Sequence, residues 1–150
     1  VQDYNRDKIT RMIMTEAFDN PKEWEAMTNV VLNRVKDYSE YRPSDQGKTD
    51  IENIILGKNQ FQGLKDNQEI YNNPESTVQG LDKYMKISNI VQSILEGKIE
   101  DNTDGATFFD KSFTGAGIKF GDHWFHKGKP IIPEIKPKPK PQQTGMMAVN

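Results

Sequence analysis

Glu16 stands four residues after Met12, three after Ile13 and seven after Ile9. On a helix that spacing continues one apolar stripe. A carboxylate on a core-facing stripe is costly unless it is paired or opens into a cleft. Burial also raises its pKa, which suits a general acid near neutral pH. The alternative is a helix-end glutamate that turns to solvent or pairs with an arginine such as Arg34. Asn33 and Arg34 directly follow Val30-Val31-Leu32. They either end a helix facing solvent, or one of them orients the carboxylate. Asn59-Gln60-Phe61 sets an amide beside an aromatic ring. That pair suits a sugar, because the ring stacks and the amide bonds hydroxyls, although Phe61 reads equally well as core. His123, three residues before His126 and next to Trp124 and Phe125, reads as a packed or substrate-contacting histidine.

The remaining composition narrows the chemistry. The 150-residue chain has no cysteine, so disulfides, thiolate catalysis and cysteine-held metals are excluded. Two histidines supply at most half of a zinc site, and no metal or other cofactor is expected. No G-x-S-x-G or P-loop occurs. Gly115-Ala116-Gly117 opens a dinucleotide-like pattern, but its third glycine would fall at Phe120. If the chain is an enzyme, this composition points first to carboxylates as the reactive groups.

The elements that must carry these groups are mainly helical. A first helix is expected over about Asp7 to Phe18, with Ile9, Met12 and Ile13 on one face. A second starts at Asn20 as N-cap, with Pro21 in the first helical position and Glu23 completing a capping box. Trp24, Met27, Val31 and Val35 form its buried stripe. Thr49 with Glu52 caps a short helix over Ile51, Ile54 and Ile55. Asn73-Pro74 opens the last long helix, lined by Leu81, Tyr84, Val91, Ile94 and Leu95 and stopped by Gly97. Beyond it, Ala106-Thr107-Phe108-Phe109 and Lys119-Phe120 to Trp124-Phe125 are short, aromatic and glycine-bounded, like strands or ordered loops. They should form one wall of a cleft whose other wall is helical. The fold class is therefore α+β, mainly α-helical.

Charge divides the chain. Residues 127–150 hold five lysines and one glutamate, +4, against a total of −2, which leaves −6 for residues 1–126. Five of the eight prolines also fall there, and Lys136 to Pro141 alternates lysine and proline as an extended polyproline segment. The division expected is a folded domain over 5–129 and a Pro/Lys-rich flexible tail or linker over 130–150. The tail is either an inert spacer or an electrostatic contact to an acidic polymer. An acidic body, and a tail without interleaved aromatics, argue against nucleic acid. The longest aliphatic runs are as short as Ile54-Ile55-Leu56, so no membrane span is expected. The N-terminus shows no apolar signal-peptide core, and the chain opens on Val1, which fits processing or a longer precursor.

Taken in order, several segments resemble the SleB-like cell wall hydrolases, the family of spore-cortex-lytic enzymes. Ile13-Met14-Thr15-Glu16-Ala17 followed by Pro21 is similar to the helix end that carries that family's catalytic glutamate. Val30 to Val35 resembles its V-x-L-N-R-V helix, and Asn59-Gln60-Phe61 its Q-F loop. Asp104 to Phe109 and Phe120 to Phe125 resemble its G-A-x-x-F and I-G-x-H-x-F segments. Phe18-Asp19-Asn20 departs from the family's usual Gly-Glu pair. The resemblance covers about residues 9–127. It implies a lysozyme-like, mainly helical domain that cuts the β-1,4 glycan strand of peptidoglycan as a lytic transglycosylase. Glu16 would be the catalytic acid and then base. Gln60, Phe61, Phe108 and His123 would bind the substrate, and Asn33 and Arg34 would give structural support. A hydrolytic muramidase is the near alternative, favoured by a second cleft carboxylate such as Asp104 or Asp122. A non-catalytic phage structural or glycan-binding protein of the same fold is the distant one. A lone domain with a tail and no export signal resembles a bacteriophage lysin or virion-associated hydrolase acting at the bacterial cell wall. The tail could then contact a virion protein.

Overall fold

The computed structural model describes residues 2–37, 41–42, 49–57, 61–113, 115–128 and 136–137. Six helices run in the order α1 (Gln2–Glu16), α2 (Pro21–Asp37), α3 (Asp50–Leu56), α4 (Gln62–Asp66), α5 (Gln68–Asn72) and α6 (Val78–Leu95). The strands are β1 (Tyr41–Arg42), β2 (Phe108–Asp110), β3 (Ile118–Phe120), β4 (His123–His126) and β5 (Lys136–Pro137). β2, β4 and β3 form a three-stranded antiparallel sheet with β4 central, and β1 pairs with β5. The mainly helical α+β class is therefore correct.

α1 lies at the centre of the helical layer and touches the five other helices. Ile9, Met12 and Ile13 are fully buried, as the stripe requires. α2 is buried almost all round, through Trp24, Ala26, Met27, Val30 and Val31, because it packs on helices from one side and on the sheet from the other. The α1–α2 turn is tied by the Trp24 indole N–H, which donates to the Phe18 carbonyl at 2.7 Å.

Three boundaries differ from the sequence expectation. α1 begins at Gln2, not Asp7, and ends at Glu16, not Phe18. Its polar first turns are held by distant partners: the Tyr4 hydroxyl donates to Glu52 and Arg6 to Gln92. Apolar periodicity carries no trace of such contacts. α6 starts at Val78, because Thr77 accepts the Gly80 N–H at 2.9 Å, whereas Asn73 closes α5. The α6 stripe is Ile87, Val91 and Ile94. Leu81 lies six residues before Ile87, about 240° round the helix, and is exposed. Finally, α4 and α5 are two single-turn helices that no apolar repeat signals.

Thr49 caps α3 by accepting the Glu52 N–H at 3.1 Å, and Gly97 ends α6 with φ 75°, both as expected. The aromatic segments form the sheet. In β4, His123 and Phe125 point to one face and Trp124 and His126 to the other.

Candidate active site

The cleft opens where the C-terminal end of α1 meets the sheet. Its cavity of about 890 Å³ is walled by Met14 to Phe18 from α1 and its turn, Phe61 to Gly63, Asp66 and Asn67 from the α4 region, Lys83 from α6, and Phe108 to Lys111, Phe113, His123 and His126 from the sheet. The two walls, one helical and one of short strands, are those expected from the sequence.

Glu16 ends α1 in this cleft and is half-buried. Its Oε1 accepts the Gly63 backbone N–H at 3.1 Å. Gly63 can approach because it has no side chain. A Cβ there would lie 2.6 Å from the Thr15 carbonyl oxygen and collide with the Glu16 carboxylate. Burial raises the Glu16 pKa above the ordinary value, opposed by the Gly63 N–H, by His123 when its ring is protonated and by the Lys111 charge, and helped by Asp66. The carboxyl is therefore biased towards the protonated form that a general acid needs. Lys83 donates to the Ala17 carbonyl at 2.7 Å and so fixes the turn just beyond it.

Glu16 is not paired with Arg34. The Arg34 Nε donates to the Thr107 carbonyl at 2.6 Å, and the guanidinium lies 4.8 Å over the Phe61 ring and 5.1 Å over Phe108. Asn33 donates to the Ala106 carbonyl at 2.9 Å and to Asp101 at 3.0 Å. Together they bind the end of α2 to the strand that enters the sheet. Phe61 is buried and stacks on Phe109 at 5.5 Å, while Phe108 is half-buried at the cleft wall. Gln60 and Asn59 lie outside the described residues.

Each histidine of β4 is held by a carboxylate. His123 is buried, with Nδ1 3.0 Å from Glu23 Oε2, and the same oxygen accepts the Asp122 N–H at 2.9 Å. His126 has Nε2 2.7 Å from Asp110, and its Nδ1 accepts the Gly128 N–H at 3.1 Å. Its ring stacks on Phe113 at 3.6 Å and on Phe108 at 5.7 Å. Glu23 thus corrects the capping-box expectation. Asn20 does cap α2, accepting from the Lys22 and Glu23 amides, but the Glu23 side chain turns inward to the β3–β4 turn. Two donors and full burial outweigh one N-cap bond at the surface.

Sequence reasoning missed Gly63, Asp66, Asp110, Lys111 and Lys83. Asp104 and Asp122 are absent from the cleft wall, where Asp66 and Asp110 stand instead. Among the described residues no group of three metal-binding side chains occurs. Nor, among the described residues, is any helix long and apolar enough to cross a membrane.

The chain matches the family described as Cell Wall Hydrolase over residues 19–137, well over half its length. Glu16 lies three residues before that span. No curated protein and no solved structure matches the chain. With the ordered motifs and the mainly helical fold, the family match places this chain among the SleB-like cell wall hydrolases, enzymes that cleave peptidoglycan.

Proposed function

We propose that the protein cuts the β-1,4 glycan strand of peptidoglycan as a lytic transglycosylase, leaving 1,6-anhydro ends. The observation that carries this reading is Glu16: a half-buried carboxyl with a raised pKa, fixed by a backbone N–H and open to a cavity large enough for sugar rings. Protonated Glu16 gives its proton to the glycosidic oxygen as the bond to C1 breaks. The resulting carboxylate then takes the proton of the C6 hydroxyl on the same sugar. That oxygen attacks C1 and closes the anhydro ring. The nucleophile is intramolecular, so no ordered water is required and one carboxylate performs both proton transfers. Phe108, His123 and Phe61 hold the sugar from the sheet side of the cleft, Gln60 is assigned a substrate contact from the motif alone, and Arg34 and Asn33 keep that wall in place.

A hydrolytic muramidase is the second reading. It is favoured by Asp66 and Asp110, which share the cleft with Glu16 and could activate a water. Mass spectrometry of muropeptides released from purified sacculi separates the two. Anhydro ends support the transglycosylase and reducing ends the muramidase. If sacculi of several chemotypes release nothing, a non-catalytic glycan-binding role replaces both.

A further inference from the structure

We propose that Glu23 is a positioning residue that fixes His123 as the Nδ1–H tautomer, so that the bare Nε2 meets an N–H or O–H donor of the glycan in the cleft. The proposal rests on the reading of the cleft as a glycan site. Glu23 itself is absent from the cleft wall and 1% exposed. A carboxylate so placed must be satisfied, and Oε2 receives both the Asp122 backbone N–H and His123 Nδ1. An ionised carboxylate only accepts, so the ring nitrogen facing it must carry the hydrogen. In the neutral ring the other nitrogen then carries the lone pair.

Three contacts fix where that lone pair goes. Phe109 meets the His123 ring edge-on at 5.2 Å, and Phe125 lies at 6.4 Å, which together set the ring plane. Gly121, at φ 57°, brings the β3–β4 turn so close that a Cβ there would overlap the Glu23 carboxylate. Nε2 has no hydrogen-bond partner among the described residues, and His123, though buried, lines the cleft. A histidine side chain free in water prefers the opposite tautomer only slightly, so one buried carboxylate suffices to choose. An acceptor at this point selects the amide N–H of an N-acetyl group or a sugar hydroxyl, and disfavours a bare carbonyl or carboxylate.

The experiment is long-range ¹H–¹⁵N correlation NMR on the intact protein, at a pH where His123 is neutral, repeated with a soluble β-1,4-linked N-acetylglucosamine oligomer. Nδ1 should show the protonated shift and Nε2 the bare one, and Nε2 should move on adding the oligomer. Glu23→Gln keeps an oxygen at the same place and should retain the tautomer. Glu23→Ala should lose it and raise KM about tenfold with kcat within about twofold, the worth of one hydrogen bond. In a His123→Ala background, Glu23→Ala should change KM by less than twofold, because Glu23 acts only through the ring. A protonated Nε2 in the parent overturns the proposal, as does an undiminished Glu23→Ala effect without His123. The NMR arms need neither turnover nor a folded Ala variant, so they decide even if sacculi are not cleaved.

Discussion

In the function proposed, Glu16 is the single side chain that sets the chemistry, and its substitution separates catalysis from folding. Glu16→Gln keeps the shape and the Gly63 contact but cannot deliver or recover a proton. Muropeptide release should fall at least ~10²-fold while the fold is kept. Stability should move the other way. A carboxyl whose folded pKa is raised contributes fully below its unfolded pKa, and that contribution is lost as pH rises through the folded pKa. The Gln variant should therefore melt above the parent at neutral pH, with the gain vanishing in acid; equal melting at both pH values would show that burial does not disfavour the charge. For the same reason the alkaline limb of the activity profile should lie above the ordinary glutamate range, and Glu16→Gln should abolish it. Gly63→Ala tests the cradle: its Cβ displaces the carboxylate, so activity should drop at least about tenfold, more than a melt would suggest. Glu16 was legible because an acid interrupted an apolar stripe. Gly63 was not, because its requirement arises only when α4 meets the end of α1. Glu23 was misread because its local pattern fits a cap, and the tertiary partners that claim it lie about a hundred residues away.

At the scale of elements, the site depends on the α1–α2 turn, which holds the end of α1 against the cleft. Trp24 fixes that turn through the bond from its indole to the Phe18 carbonyl. Trp24→Phe removes the donor and some buried surface, leaving the carbonyl to water. We expect a loss of about 1–3 kcal/mol in denaturant unfolding and a fall in kcat larger than any rise in KM. An unchanged kcat would mean that Lys83 on the Ala17 carbonyl suffices to hold Glu16. The helices with strong apolar stripes were legible, as were the aromatic strands between glycines. The single-turn helices α4 and α5 were not, since five residues hold too little periodicity to register. Yet α4 supplies the amide that meets Glu16, so the least legible element carries one of the closest contacts of the site.

At the scale of the whole molecule, charge and composition divide the chain more sharply than packing does. Acidic residues dominate up to His126, and the last 24 residues carry +4. The structure adds one link between the two parts: Lys136–Pro137 pairs with Tyr41–Arg42. That ladder is two residues long, and one of its members is a proline, which cannot donate. Truncation after Lys129 should therefore lower the melting temperature by no more than about 4 °C, the equivalent of about 1 kcal/mol for a chain of this size. A larger fall would mean that Ile131, Ile132 or Ile135 docks on the body. Binding should change more than stability. Truncation removes three lysines and one glutamate, taking the net charge from −2 to −4. If the tail attaches the domain to an acidic polymer, the truncated protein should sediment less with anionic sacculi at low salt. The difference should close as ionic strength rises towards 1 M, where the screening length falls to about 3 Å. Equal sedimentation at low salt would leave the tail as a spacer, with the cleft alone holding the substrate.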